Sequence, residues 1–235
     1  VKVAACTSLA GILENSAVIA ALPPYLPKIV ETILGLANEI ELDSLSYVLE
    51  DIVTQFSEEM APWAAQLCAQ LRDTLLRSID SASCTQSTDA EESGLFEDTD
   101  KMMAILGMLG TINTLVDSMS AKPETMSQIE EILLPLIFTM FQRKLMDVYE
   151  EVFSILDSLT YGQKKISPSM WQLLDSIFAV FQSCGSSYIP DMATTLDNYI
   201  SYGRDQIVQN PKILSIFVEI IKTIMTDDDF VESDW

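Results

Sequence analysis

Histidine is missing from all 235 residues. Its absence removes Ser-His-Asp triads, Cys-His nucleophiles, His-ligated zinc and imidazole acid–base catalysis together. Glycine (8) and proline (9) are sparse, which argues against turn-rich sandwiches and propellers. Bases are scarce too: 13 Lys and Arg stand against 35 Asp and Glu, for a formal charge of -22 and a pI near 4.1. Phosphates are held by Lys and Arg, so this balance argues against direct binding of nucleic acid and favours a basic partner. Long apolar runs are lacking as well. The longest, near 102–112 and 132–141, fall well below the ~18 residues that a membrane span needs.

Chemistry-bearing motifs are equally absent. There is no GxGxxG, no P-loop and no EF-hand spacing, so no cofactor or metal is expected. Cys6, Cys68, Cys84 and Cys184 form no CxxC pair and are expected to be reduced and mostly buried. No catalytic residue stands out, and an enzyme is the least favoured class. Residues 1–22 imitate a secretory leader, with Lys2 ahead of an apolar stretch, but Glu14 and Asn15 interrupt it. They read instead as the inside of a helix, and both termini are expected to be cuts within a longer chain.

What is present is apolar periodicity. Apolar residues make up 49% of the chain and charged ones 20%, enough to build a core and too apolar for disorder. Leu42, Leu45, Val48, Leu49, Ile52, Val53 and Phe56 fall on one helical stripe, as do Leu145, Val148, Tyr149, Val152, Leu156 and Leu159. Pro24, Pro62, Pro123, Pro168, Pro190 and Pro211 suit first helical turns, and Ser167 and Asn210 suit N-caps. The pattern predicts helices near 3–20 (broken about Asn15), 24–37, 42–57, 61–79, 99–119, 126–143, 145–160, 168–183, 188–201 and 211–226. Pro135 should kink its helix or mark the true start. Gly107 and Gly110, inside an apolar helix, suggest close helix packing there.

Most predicted helix starts lie about 18–27 residues apart, so a pair occupies roughly 40–47 residues, the period of HEAT and armadillo arrays. The expected fold is all-α: an α-solenoid of about five HEAT repeats, a single array over 1–235. Wide apolar faces, such as Ile213, Leu214, Ile216, Phe217, Ile220, Ile221, Ile224 and Met225 on the last helix, fit helices packed between a partner and the next repeat.

One interval breaks the spacing. Residues 80–98 carry no apolar periodicity and no base, and read as an acidic inter-helix loop. Asp89, Glu91, Glu92, Glu97, Asp98 and Asp100 are the candidate contacts for a basic partner; Leu95 and Phe96 are expected either to pin the loop back onto the helices or to serve as an apolar anchor. A second acidic run, Asp227-Asp228-Asp229, follows the last helix.

The stretch 148–200 resembles the mid-chain of importin-β-like nuclear transport receptors, in the branch of importin seven and importin eight and their fungal counterparts. Tyr149-Glu150-Glu151, Phe153, Ser158-Leu159-Thr160, Ser167-Pro168, Met170-Trp171-Gln172-Leu173-Leu174, Phe178, Val180-Phe181-Gln182, Asp191-Met192, Leu196 and Asn198-Tyr199 carry the resemblance. It implies a HEAT superhelix that shuttles between cytoplasm and nucleus through the nuclear pore. It also implies basic cargo such as ribosomal proteins and histones, sometimes together with importin-β, weak contacts with Phe-Gly nucleoporins, and cargo release by GTP-bound Ran. The family's N-terminal Ran-binding repeats have no counterpart here, so Ran would be engaged mainly elsewhere. Competing readings are an exportin that recycles importin-α and a static HEAT scaffold.

Overall fold

In a computed structural model, the described residues are 5, 8, 11–13, 15–39, 43–84 and 99–226. Among them there is no strand. Ten α-helices follow one another: α1 (Ser16–Ala21), α2 (Leu26–Glu39), α3 (Asp43–Gln55), α4 (Ser57–Met60), α5 (Ala64–Cys84), α6 (Thr99–Ser118), α7 (Pro123–Gln142), α8 (Tyr149–Gln163), α9 (Pro168–Gln209) and α10 (Pro211–Thr226). The chain forms two compact units, Val1–Leu136 and Ile137–Trp235. Their boundary falls inside α7, just past Pro135.

Most of the helix signals act where the sequence places them. Asn15 caps α1, its side chain accepting from the Ala17 amide at 3.0 Å, so the first predicted helix is broken there. Ser167 Oγ accepts from the Met170 amide at 3.1 Å, and Asn210 Oδ1 from the Lys212 amide at 3.1 Å. Pro123, Pro168 and Pro211 each open a helix, where the missing amide costs nothing. Pro135 is inside α7 and not at its start.

Several boundaries differ from expectation, among them the end of the helix foreseen over 188–201, which runs on to Gln209. The helix foreseen over 61–79 runs on to Cys84, because Asp80-Ser81-Ala82-Ser83 contains no breaker. The helices foreseen over 168–183 and 188–201 meet without a loop. The chain leaves helical geometry only at Cys184 (φ -150°, ψ 26°). Pro190 therefore lies inside the second segment and does not open it.

In the first unit, α3 packs on α6, α5 on α6, and α2 on α3 and α5. The predicted stripe is the core: Val48, Leu49, Ile52, Val53 and Phe56 are all buried. Leu42 lies outside the described residues, and nothing is described of the Leu45 side chain. Leu67, Cys68, Leu71, Leu75 and Ile79 of α5 and Ile105, Leu109, Ile112 and Leu115 of α6 complete the core. Burial pushes the Cys68 thiol up to about 12, so it stays protonated and inert at neutral pH.

In the second unit the repeat can be read from hydrogen bonds. Tyr188 Oη donates to the Met146 carbonyl (3.0 Å) and Thr195 Oγ1 to the Phe153 carbonyl (3.2 Å), both over 42 residues. Asn198 Nδ2 donates to Asp157 Oδ1 (2.6 Å) over 41 residues. These partners advance together, so α8 and residues 185–209 of α9 run parallel, one repeat apart. Within α9 the order reverses. Met170 meets Tyr199, whose hydroxyl donates to its carbonyl at 2.6 Å, and Phe181 meets Gly185. The two segments are therefore an antiparallel hairpin. Antiparallel pairs stacked in parallel register at this spacing are HEAT-like repeats. In the first unit the corresponding bonds, Thr114 Oγ1 to Glu50 Oε1 and Arg72 Nη1 to the Ile132 carbonyl, span 64 and 60 residues. The excess over the second unit is close to the length of the acidic segment 80–98.

Candidate acidic interface

The acidic segment leaves the end of α5 and returns to the start of α6. Asp89, Glu91, Glu92, Glu97 and Asp98, together with Leu95 and Phe96, lie outside the described residues. Asp100 is the second residue of α6, and nothing is described of its side chain. Between Arg77 and Lys101 the chain carries no base, so no cation within the segment neutralises its acids. The run Asp227-Asp228-Asp229 also lies outside the described residues.

A second acidic place was not legible as such. Glu150 and Glu151 begin α8, Asp147 lies in the 3-10 turn before it, and Asp191 sits on α9. Each is ordinary in the sequence. Parallel stacking one repeat apart brings Asp191 against the first turn of α8. Glu151 Oε2 is buried there with no hydrogen-bond partner. Burial, first, and the charges of Glu150 and Asp191 push its carboxyl above the usual carboxylate range. Asp191 is raised by burial and then by Glu150. Glu151→Gln is the direct test. Because the folded carboxyl titrates above the unfolded one, ionisation of Glu151 weakens the fold. Its favourable contribution is complete below about pH 4.5 and is lost as pH rises through the raised value. The variant is expected to melt higher than the parent at pH 7, with the difference shrinking to nothing near pH 4 in thermal melts followed by circular dichroism.

Two clefts mark the described surface. One of about 290 Å³ is lined by Ile166, Trp171 and residues 201–206. The other, about 210 Å³, is lined by Pro27, Val30 and Glu31 of α2 and by Met60, Trp63, Gln66, Leu67 and Gln70. Trp63 and Trp171 are both half-buried. No group of three or more potential metal ligands occurs among the described residues, and no described helix is long and apolar enough to cross a membrane.

A probable importin-7 homolog from Dictyostelium discoideum is 29% identical over 227 residues, 97% of this chain. Human importin-8 is 29% identical over 229 residues, also 97%. An importin beta-like SAD2 homolog from Arabidopsis thaliana is 29% identical over 236 residues, the whole of it. The chain is importin-like along its entire length. It spans about a fifth of the length of these relatives, between 20% and 22%. No family profile matches it, and no solved structure does.

The importin-like residues singled out in the sequence are chiefly packing residues. Tyr149, Phe153, Met170, Leu173, Leu174, Met192, Leu196 and Tyr199 are all buried. They explain why the lineage is readable while a binding site is not.

Proposed function

We propose that this importin-like chain forms part of a nuclear transport receptor and offers an acidic helical surface to Lys/Arg-rich protein cargo. The observation that carries the reading is similarity to importins across the whole chain, not in one motif. The excess of 35 acids over 13 bases supplies the complementary charge. Distributed carboxylates steer a basic partner and hold it through many weak contacts that salt screens. No bond is made or broken on this chain. GTP-bound Ran, acting mainly through other parts of a longer receptor, would release the cargo. Phe-Gly nucleoporins would carry the receptor through the pore, between cytoplasm and nucleus.

The acidic segment is the proposed contact. Replacing Asp89, Glu91, Glu92, Glu97, Asp98 and Asp100 together by Asn or Gln is expected to weaken binding of a basic cargo several-fold or more at ~0.1 M salt, since exposed pairs contribute ~0.2–1 kcal/mol each. The parent's affinity should fall more steeply with salt than the variant's. Isothermal titration at two ionic strengths measures both, and an affinity unchanged by the six substitutions would remove the segment from the mechanism.

A further inference from the structure

Acids outnumber bases in this chain by 35 to 13, yet bases gather at one cleft. Its walls come from two segments that touch: the turn between α8 and α9, and the last turns of α9. A Cβ at Gly203 would stand 3.4 Å from Ile166 Cγ1, and both residues line the opening of about 290 Å³. Arg204 lines it as well, and Lys164 and Lys165 directly precede Ile166. All three bases are exposed. Among the described residues, none of them enters a salt bridge or a side-chain hydrogen bond. Both segments are free of acid over the stretches that form the cleft: residues 158–174 and 198–204 contain no Asp or Glu. Asp205 also lines the cleft, and it forms no salt bridge with Arg204.

The backbone marks the same place. Lys164 ends α8 in left-handed geometry (φ 50°, ψ 33°), where a Cβ is strained and glycine is the usual residue. The glycine stands two residues earlier, at 162, inside the helix. A cation after the last turn suits the helix dipole, but Lys165 would serve that purpose without strain. Trp171 adds a neutral donor. Its ring lines the cleft, and its indole N–H, on the edge beside Cζ2, donates to no described atom. The arginine presents a planar fork that matches a carboxylate, and the lysines add point charges. Elsewhere the surplus of acid repels an extended polyanion such as nucleic acid. A short acidic stretch, with its charge confined to the opening, meets base alone.

We propose that this cleft binds a short Asp/Glu-rich segment of a partner protein, with Arg204, Lys164 and Lys165 holding its carboxylates and the Trp171 indole donating beside them. The site is opposite in sign to the acidic surface proposed for basic cargo, and it does not rest on that reading. A partner that carries both signs would be fixed in one orientation, because the reversed pose sets like charges against each other.

The test uses the full polypeptide in which this chain occurs. A fluorescein-labelled Glu/Asp octapeptide is titrated at low salt and followed by anisotropy. Replacing Lys164, Lys165 and Arg204 together by Gln is expected to weaken binding roughly tenfold. Lys144→Gln, at the other left-handed lysine (φ 53°), should change it by less than about twofold. Lys164→Gly separates binding from folding. It relieves the left-handed strain, so the variant should melt no lower than the parent, yet bind roughly threefold more weakly. Equal affinity of the parent and the triple variant overturns the proposal. So does a Gln/Asn octapeptide that binds as tightly as the acidic one, or an acidic peptide that shows no measurable binding to the parent. A single-stranded oligonucleotide of the same charge that binds more tightly than the peptide, and is lost in the triple variant, also overturns it and assigns the cleft to nucleic acid.

Discussion

Phe153→Ala is expected to lower the melting temperature by roughly 10 °C, corresponding to a loss of about 3–5 kcal/mol. The ring is fully buried and belongs to an aromatic group drawn from three helices. Phe141 lies 5.6 Å away and Tyr149 6.3 Å away, centroid to centroid. Tyr149 in turn meets Phe141 at 5.5 Å and Tyr188 at 5.4 Å, both edge-on. Removing the ring costs its transfer free energy, its two aromatic contacts of about 0.5–1.5 kcal/mol each, and the cavity left among side chains that close-packed neighbours hold in place. The Phe153 carbonyl also accepts from Thr195 Oγ1, so a backbone shift at this turn disturbs the stacking of α8 on α9. Tyr161→Ala, on the same helix but 59% exposed, is the control and should change stability by no more than about 0.5 kcal/mol. Differential scanning calorimetry of the three proteins distinguishes the outcomes; equal melting temperatures would show that the aromatic group does not hold the unit together.

Gly203→Val is expected to destabilise by about 2–3 kcal/mol, the cost of forcing atoms into space that the Trp171 ring already occupies. Glycine in a helix interior ordinarily costs about 1 kcal/mol against alanine, so a surface glycine would gain from substitution. Here a Cβ would meet Trp171 Cζ2 at 2.4 Å and Cη2 at 2.7 Å, with Ile166 Cγ1 at 3.4 Å. The indole has little freedom to yield, because Tyr199 packs against it and is itself tied to the Met170 carbonyl. The cause can be isolated by a double-mutant cycle. Trp171→Leu should remove most of the penalty of Gly203→Val, giving a coupling of at least about 1 kcal/mol. Additive effects in urea unfolding would mean that the valine acts through the backbone and not through the ring. Gly110→Ala supplies the contrast: nothing lies within 4 Å of the added carbon, and the variant should be at least as stable as the parent.

That contrast also shows where sequence reading stopped. Gly107 and Gly110 looked like packing glycines because they interrupt an apolar run. For Gly110 the structure corrects this, since a Cβ there points into open space; the close approach occurs at Gly203, in a polar stretch that drew no notice. Nothing near Gly203 in the chain announces Trp171, 32 residues away. The break near Cys184 was expected between the helices 168–183 and 188–201, but not its form, a single non-helical residue in place of a loop. The acidic segment was conspicuous from composition alone, whereas Glu151 became notable only when stacking buried one of its oxygens without a partner.

The sequence by itself determined that this chain is helical, where most of its helices start, which stripes enter the core, how long a repeat is, and how strongly acid outweighs base. Each of these is written within a few turns of one helix, because a 3.6-residue period, a capping side chain and a proline act on adjacent backbone. Only the tertiary structure decided which glycine admits no side chain, that Asn198 spans to Asp157, and which carboxylate is stranded in an interface. These depend on residues some 30–40 positions apart meeting in one register. That register is set by the packing of whole helices against one another, which no local run of residues encodes.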